Sequence, residues 1–118
     1  MVLNIYVDGS GGPDSGFGFF VKETGESFYK KEPNITNNQA EYMALITVLK
    51  KFTDSKDEIS IYSDSKNTVS QLNHEYAINN SELRTLAMEA WNLISKYSNL
   101  KIKWIPRSEN LAGKMLGS

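Results

Sequence analysis

Residues 37–52 read NNQAEYMALITVLKKF, and the reading of this stretch decides the fold. Leu45, Val48, Leu49 and Phe52 recur at the spacing of one helical face, so the segment predicts an amphipathic helix with Asn37 or Asn38 as its N-cap. Glu41 precedes Leu45 by four residues and Val48 by seven, which puts a carboxylate on the stripe about to be buried. An acid in that position needs a physical reason.

Outward from this helix the chain alternates strands and helices. Val2–Asp8 predicts a strand, followed by a turn through Gly9, Ser10, Gly11, Gly12 and Pro13. Gly16–Lys22 and Ser27–Lys31 predict two more strands, with a hairpin turn at Thr24, Gly25 and Glu26. Downstream, Glu58–Ser63 is a fourth strand and Ser65–Leu72 a short helix. Ser81 is the expected cap of a longer helix with its stripe at Leu83, Leu86, Ala87, Ala90, Leu93, Ile94 and Tyr97. Leu100–Ile105 predicts a fifth strand and Ser108–Leu116 a last helix. The order β-β-β-α-β-α-α-β-α implies an α/β fold, a mixed sheet with helices on its faces.

The chain has 118 residues and a net charge of −1. That length suits a single domain spanning residues 1–118 with its own core. The absence of cysteine excludes disulfides, zinc–cysteine sites and a thiol nucleophile. Met1–Val7, interrupted by Asn4, is too short to span a bilayer, so a cytoplasmic monomer without membrane attachment is the expectation. The near-neutral charge argues against a nonspecific DNA coat protein, but a local patch or a bound cation could still serve nucleic acid.

Two of the strands end alike. The first closes on Tyr6-Val7-Asp8 and the fourth on Tyr62-Ser63-Asp64, so each aspartate shares the face of a tyrosine two residues earlier. A helix lies between them, which allows the strands to be parallel neighbours roughly 5 Å apart, with both aspartates at their carboxyl ends. In open α/β sheets ligands bind at that end. Glu41 begins the connecting helix and would point to the same place. Singly, each acid has an ordinary explanation: Asp8 as a turn residue before Gly9, Asp64 as a cap, and Glu41 as a complement to the helix dipole. Together they would repel one another, and a divalent cation is the economical neutraliser; all-oxygen ligation favours magnesium or manganese.

Four segments carry a resemblance: Tyr-Val-Asp-Gly-Ser at 6–10, Thr-Asn-Asn-Gln-Ala-Glu-Tyr at 36–42, Tyr-Ser-Asp-Ser at 62–65 and Trp-Ile-Pro-Arg-Ser-Glu-Asn at 104–110. In this order and spacing the chain resembles the type 1 ribonuclease H family, in the style of its compact archaeal and retroelement-like members. The resemblance implies a ribonuclease H-like fold: a five-stranded mixed sheet whose second strand is antiparallel to the rest, with helices on both faces. It implies hydrolysis of the RNA strand of RNA/DNA hybrids, leaving 5′-phosphate and 3′-hydroxyl ends, with double-stranded RNA as a second candidate substrate. Asp8, Glu41 and Asp64 fall on three of the family's catalytic, metal-binding acids. Two Mg²⁺ (or Mn²⁺) ions would flank the scissile phosphate, one activating water and the other steadying the leaving oxygen. Gly9 and Ser10 match the turn that meets the RNA. Asn37, Asn38 and Gln39 match the run that reads the minor groove, where 2′-hydroxyls are displayed. Thr36 falls at a position that contacts a phosphate of the DNA strand, and Asn80 is a candidate to help there.

The resemblance has gaps. Gly113 stands where the family's fourth acid falls, and Glu109, four residues earlier, is expected on the same helical face, either filling part of the missing shell or serving as a first-turn acid. No histidine lies in the loop just before the last helix, where many family members carry one. The lone His74 reads as solvated, and the connection from Leu72 to Ser81 is too short for a basic helical handle. Lys96, Lys101, Lys103, Arg107 and Lys114 form the remaining basic cluster, while Trp91 and Trp104 read as core residues. A hybrid-binding module that has lost catalysis is therefore the alternative to an active nuclease. A domain of a larger replication or retroelement protein is a third, with the Met1 start and full set of elements counting against it.

Overall fold

Alternation in the first strand sets the layers. In β1 (Val2–Ser10) Leu3, Ile5 and Val7 are buried in the main core, while Asn4 and Tyr6 between them are only half-buried on the other face. β2 (Gly16–Val21) contributes Phe17, Phe19 and Val21 to the same core, and β4 (Glu58–Ser63) contributes Ile59 and Ile61. The remaining strands are β3 (Ser27–Lys31) and β5 (Leu100–Trp104). The computed structural model describes residues 1–116 and joins the five strands in the order β3-β2-β1-β4-β5. β1 and β3 each pair antiparallel with β2, whereas β1–β4 and β4–β5 are parallel, so β2 alone runs against the others, as expected.

The helices are α1 (Asn37–Lys51), α2 (Lys66–Leu72), α3 (Ser81–Ile94) and α4 (Leu111–Leu116). α1 lies on β1 and β2 and is backed by α3. Leu45, Val48 and Leu49 are fully buried there, each such side chain contributing about 1.5–3 kcal/mol. α4 also packs on β1 and β2, but its fully buried Ala112 lies outside that core cluster, on the opposite face. Tyr6 and Tyr62 are register partners in the parallel β1–β4 pair, and their rings stack at 5.0 Å. Among the described residues no helix is long and apolar enough to cross a membrane.

Several boundaries differ from the sequence reading. The N-cap of α1 is Thr36, not Asn37 or Asn38. Its extended backbone lets the hydroxyl accept from Gln39 N (3.1 Å), while Gln39 Oε1 accepts from Thr36 N (2.9 Å), a reciprocal capping box. Asn37 Oδ1 is engaged elsewhere, accepting from Gly11 N at 2.5 Å. Asn80, not Ser81, caps α3 by accepting from Leu83 N at 3.0 Å. The expected last helix is broken. Arg107–Glu109 form one 3-10 turn, Asn110 interrupts with an extended backbone, and α4 begins at Leu111. Glu109 and Gly113 therefore share no helical face. Trp104 is not a core residue: β5 is a sheet edge, and the indole is 47% exposed. Trp91 is half-buried against the core, and the exposed His74 stacks on it at 4.8 Å.

Candidate active site

The parallel β1–β4 pair brings Asp8 and the residue just past β4, Asp64, to one edge of the sheet. α1 starts beside that edge because Gly9 lets the strand approach the helix closely: a Cβ on Gly9 would lie 2.5 Å from the Ala40 carbonyl carbon. One residue further along α1, Glu41 reaches the same point. Carboxylate oxygens of Asp8, Glu41 and Asp64 all lie within 4.8 Å of one another.

Glu41 is buried, as Asp8 is. Its Oε1 accepts from Gly9 N and its Oε2 from the Ser63 hydroxyl, each at 3.2 Å. Burial, then the charges of Asp8 and Asp64, push its carboxyl from 4.5 up to about 8, against the lowering effect of those two hydrogen bonds. Glu41 therefore holds a proton at neutral pH unless a cation replaces it. Three converging carboxylates, one of them favoured in its protonated form by burial and then by its neighbours, make a donor set that fits a hard divalent cation.

The Asp64 carboxylate has two further partners among the described residues. Asn110 Nδ2 donates to its Oδ2 at 3.0 Å, and Arg107 Nε lies 4.0 Å from the same oxygen. The arginine side chain is 75% exposed, so solvent screens its charge, and it does not neutralise the three acids. Asn110 is fully buried. Its Nδ2 also donates to the Val7 carbonyl at 2.9 Å, and its Oδ1 accepts from Ala112 N at 3.0 Å and Gly113 N at 3.4 Å.

The three acids line a cleft of about 270 Å³ that also takes in Gly9, Ser10, Asn37, Asn38 and Arg107. Thr36, Gln39 and Asn80 line a separate hollow of about 140 Å³ between the N-termini of α1 and α3, shared with Asn38 and Glu82, and there Gln39 Nε2 donates to Glu82 Oε2 at 2.7 Å. The residues expected to meet substrate thus fall into two adjoining groups, with Asn38 in both. Glu109 is exposed and outside the carboxylate cluster. The sequence reading passed over Ser63 and Asn110. Ser63 was legible as the strand residue between Tyr62 and Asp64 on the core face. Asn110 was quoted within a motif, but nothing local marked its amide as buried.

A sheet of this order with three acids at the edge where β1 and β4 end defines the class, a ribonuclease H-like nuclease fold. Comparisons with known proteins agree. Residues 22–117 match the family described as reverse transcriptase-like, a match that begins after Asp8. An Enterococcus faecalis protein named "Putative hydrolase EbsB" is 32% identical over 123 residues, covering 98% of this chain and 90% of that protein. Ribonuclease HI of Halobacterium salinarum is 34% identical over 97 residues, covering 81% of this chain and 47% of that protein. The crystal structure of RNase H1 from the same archaeon superposes with a TM-score of 0.87 at 27% identity, covering 98% of this chain and 94% of that one. The chain belongs to the type 1 ribonuclease H family and is a ribonuclease H enzyme.

Proposed function

We propose that this chain hydrolyses the RNA strand of RNA/DNA hybrids at the cleft formed by Asp8, Glu41 and Asp64. The observation that carries the reading is the convergence of these three carboxylates within 4.8 Å. Asp8, Glu41 and Asp64 would together hold the cations, each offering a carboxylate oxygen. Two Mg²⁺ or Mn²⁺ ions held there would supply an activated water and a stabilised 3′-oxygen leaving group, giving 5′-phosphate and 3′-hydroxyl products. The residues themselves do the rest. Gly9 and Ser10 present backbone to the cleaved strand, and Asn37 and Asn38 offer amides to the sugar and base edges of the minor groove. In the adjoining hollow Thr36 and Asn80 receive the DNA strand, while Gln39 belongs with Asn37 and Asn38 in reading the minor groove.

The test is cleavage of an end-labelled RNA/DNA hybrid in Mg²⁺ or Mn²⁺ by the parent chain and by Asp64→Asn, with double-stranded RNA in parallel. The parent cuts the RNA strand and the variant loses the activity while still binding the hybrid. Parent protein that binds without cutting overturns the proposal.

A further inference from the structure

We propose that Asn110 is the positioning residue of this site, holding the Asp64 carboxylate in the orientation that a cation needs. The inference rests on reading the three acids as a cation site, and extends it to a residue outside the acid cluster. A buried amide can be pinned in one orientation only if each end has a partner of the right kind. At the oxygen end, Oδ1 accepts from Ala112 N and Gly113 N in the first turn of α4. At the nitrogen end, Nδ2 donates to the Val7 carbonyl and to Asp64 Oδ2. Flipping the amide would set its oxygen against a carbonyl and a carboxylate, and its nitrogen against two N–H groups. The arrangement admits one state.

That state links three parts of the fold. It fastens the start of α4 to the middle of β1, one residue before Asp8, and from there reaches the acid just past β4. The donor on Oδ2 restrains the carboxylate, one oxygen of which belongs to the acid cluster. Groups that orient metal-binding carboxylates in this way affect metal affinity or activity by roughly 10–100-fold when removed. Asn110 is fully buried, so it acts through Asp64 and not on substrate.

Asn110→Ser separates positioning from capping. Serine caps a helix as well as asparagine does, so the bonds to α4 have a replacement, but its short side chain cannot reach Asp64. Binding of Mn²⁺ to the nucleic-acid-free protein is measured by calorimetry at a temperature where both forms are folded, and kcat and KM are measured on the hybrid. The expected result is Mn²⁺ affinity and kcat each lower by roughly tenfold or more, with KM little changed. A folded variant with parental Mn²⁺ affinity overturns the proposal, whatever its melting temperature. A second measurement needs no variant: in the parent, the Asn110 side-chain amide resonances shift on Mg²⁺ addition with the calorimetric affinity, and resonances that stay fixed overturn it. If the parent binds these ions but does not cleave the hybrid, the proposed function falls while both arms still decide the role of Asn110.

Discussion

The Ser63 hydroxyl donates to Glu41 Oε2 at 3.2 Å, joining the end of β4 to the first turns of α1 beneath the two aspartates. This bond and the one from Gly9 N favour the charged carboxylate, yet burial and the neighbouring acids outweigh them. Glu41 is therefore the site's pH-sensitive element.

Without a divalent ion, folded Glu41 keeps its proton up to about pH 8, whereas in the unfolded chain it loses it near 4.5. Between those values the folded state binds more protons, so stability is greatest below the lower value and falls as pH rises toward the upper one. The contribution is at most about 5 kcal/mol. Urea unfolding in EDTA from pH 4 to 9 should show this decline, and Glu41→Gln should flatten it and be the more stable form at pH 9.

Cation binding should reverse the trend. Mg²⁺ or Mn²⁺ neutralises the acids in the folded chain alone, so the melting temperature should rise on adding metal, and by more at pH 8 than at pH 5. At pH 7 the incoming ion displaces the Glu41 proton. Calorimetry in buffers of different ionisation enthalpy should therefore report proton release. Asp64→Asn should remove most of the metal-induced stabilisation.

Gly9→Ala should destabilise the protein by about 1–3 kcal/mol, because the new methyl group meets the Ala40 backbone and forces β1 and α1 apart. The same displacement separates Asp8 from Glu41, so cleavage should drop more steeply than the folded fraction. Urea midpoints and single-turnover rates, measured side by side, check both.

Thr36→Val deletes the acceptor for Gln39 N and should cost about 1 kcal/mol of stability, read from chemical denaturation. Glu109→Gln should leave metal-dependent cleavage within about twofold of the parent, as expected for an exposed surface substitution. A large loss there would show Glu109 acting in the reaction despite its place in the 3-10 turn.

The strands and the three acids were legible because period-two and helical patterning survive in any sequence that buries one face. Glu41 interrupting the stripe of Leu45, Val48 and Leu49 was the most informative single position. The caps were off by one or two residues. Thr36, Asn37 and Asn38 are all competent caps, as are Asn80 and Ser81, and the choice is made by backbone angles and by which third residue answers, Gln39 in the first case. The break in the last helix was hidden because its cause is distant: the Asn110 amide bonds to Val7, 103 residues earlier. Trp104 was misplaced because composition does not reveal which strand is an edge.

The stacked rings of Tyr6 and Tyr62 act as an alignment gauge for the chemistry downstream. Side chains in a strand change sides at every residue, so a one-step slip of β1 against β4 would set Tyr6 opposite Ile61 or Ser63 and turn an acid through to the wrong side of the sheet. Two aromatic residues, each two positions upstream of its aspartate, thus make a misaligned pairing expensive before any charge is brought together.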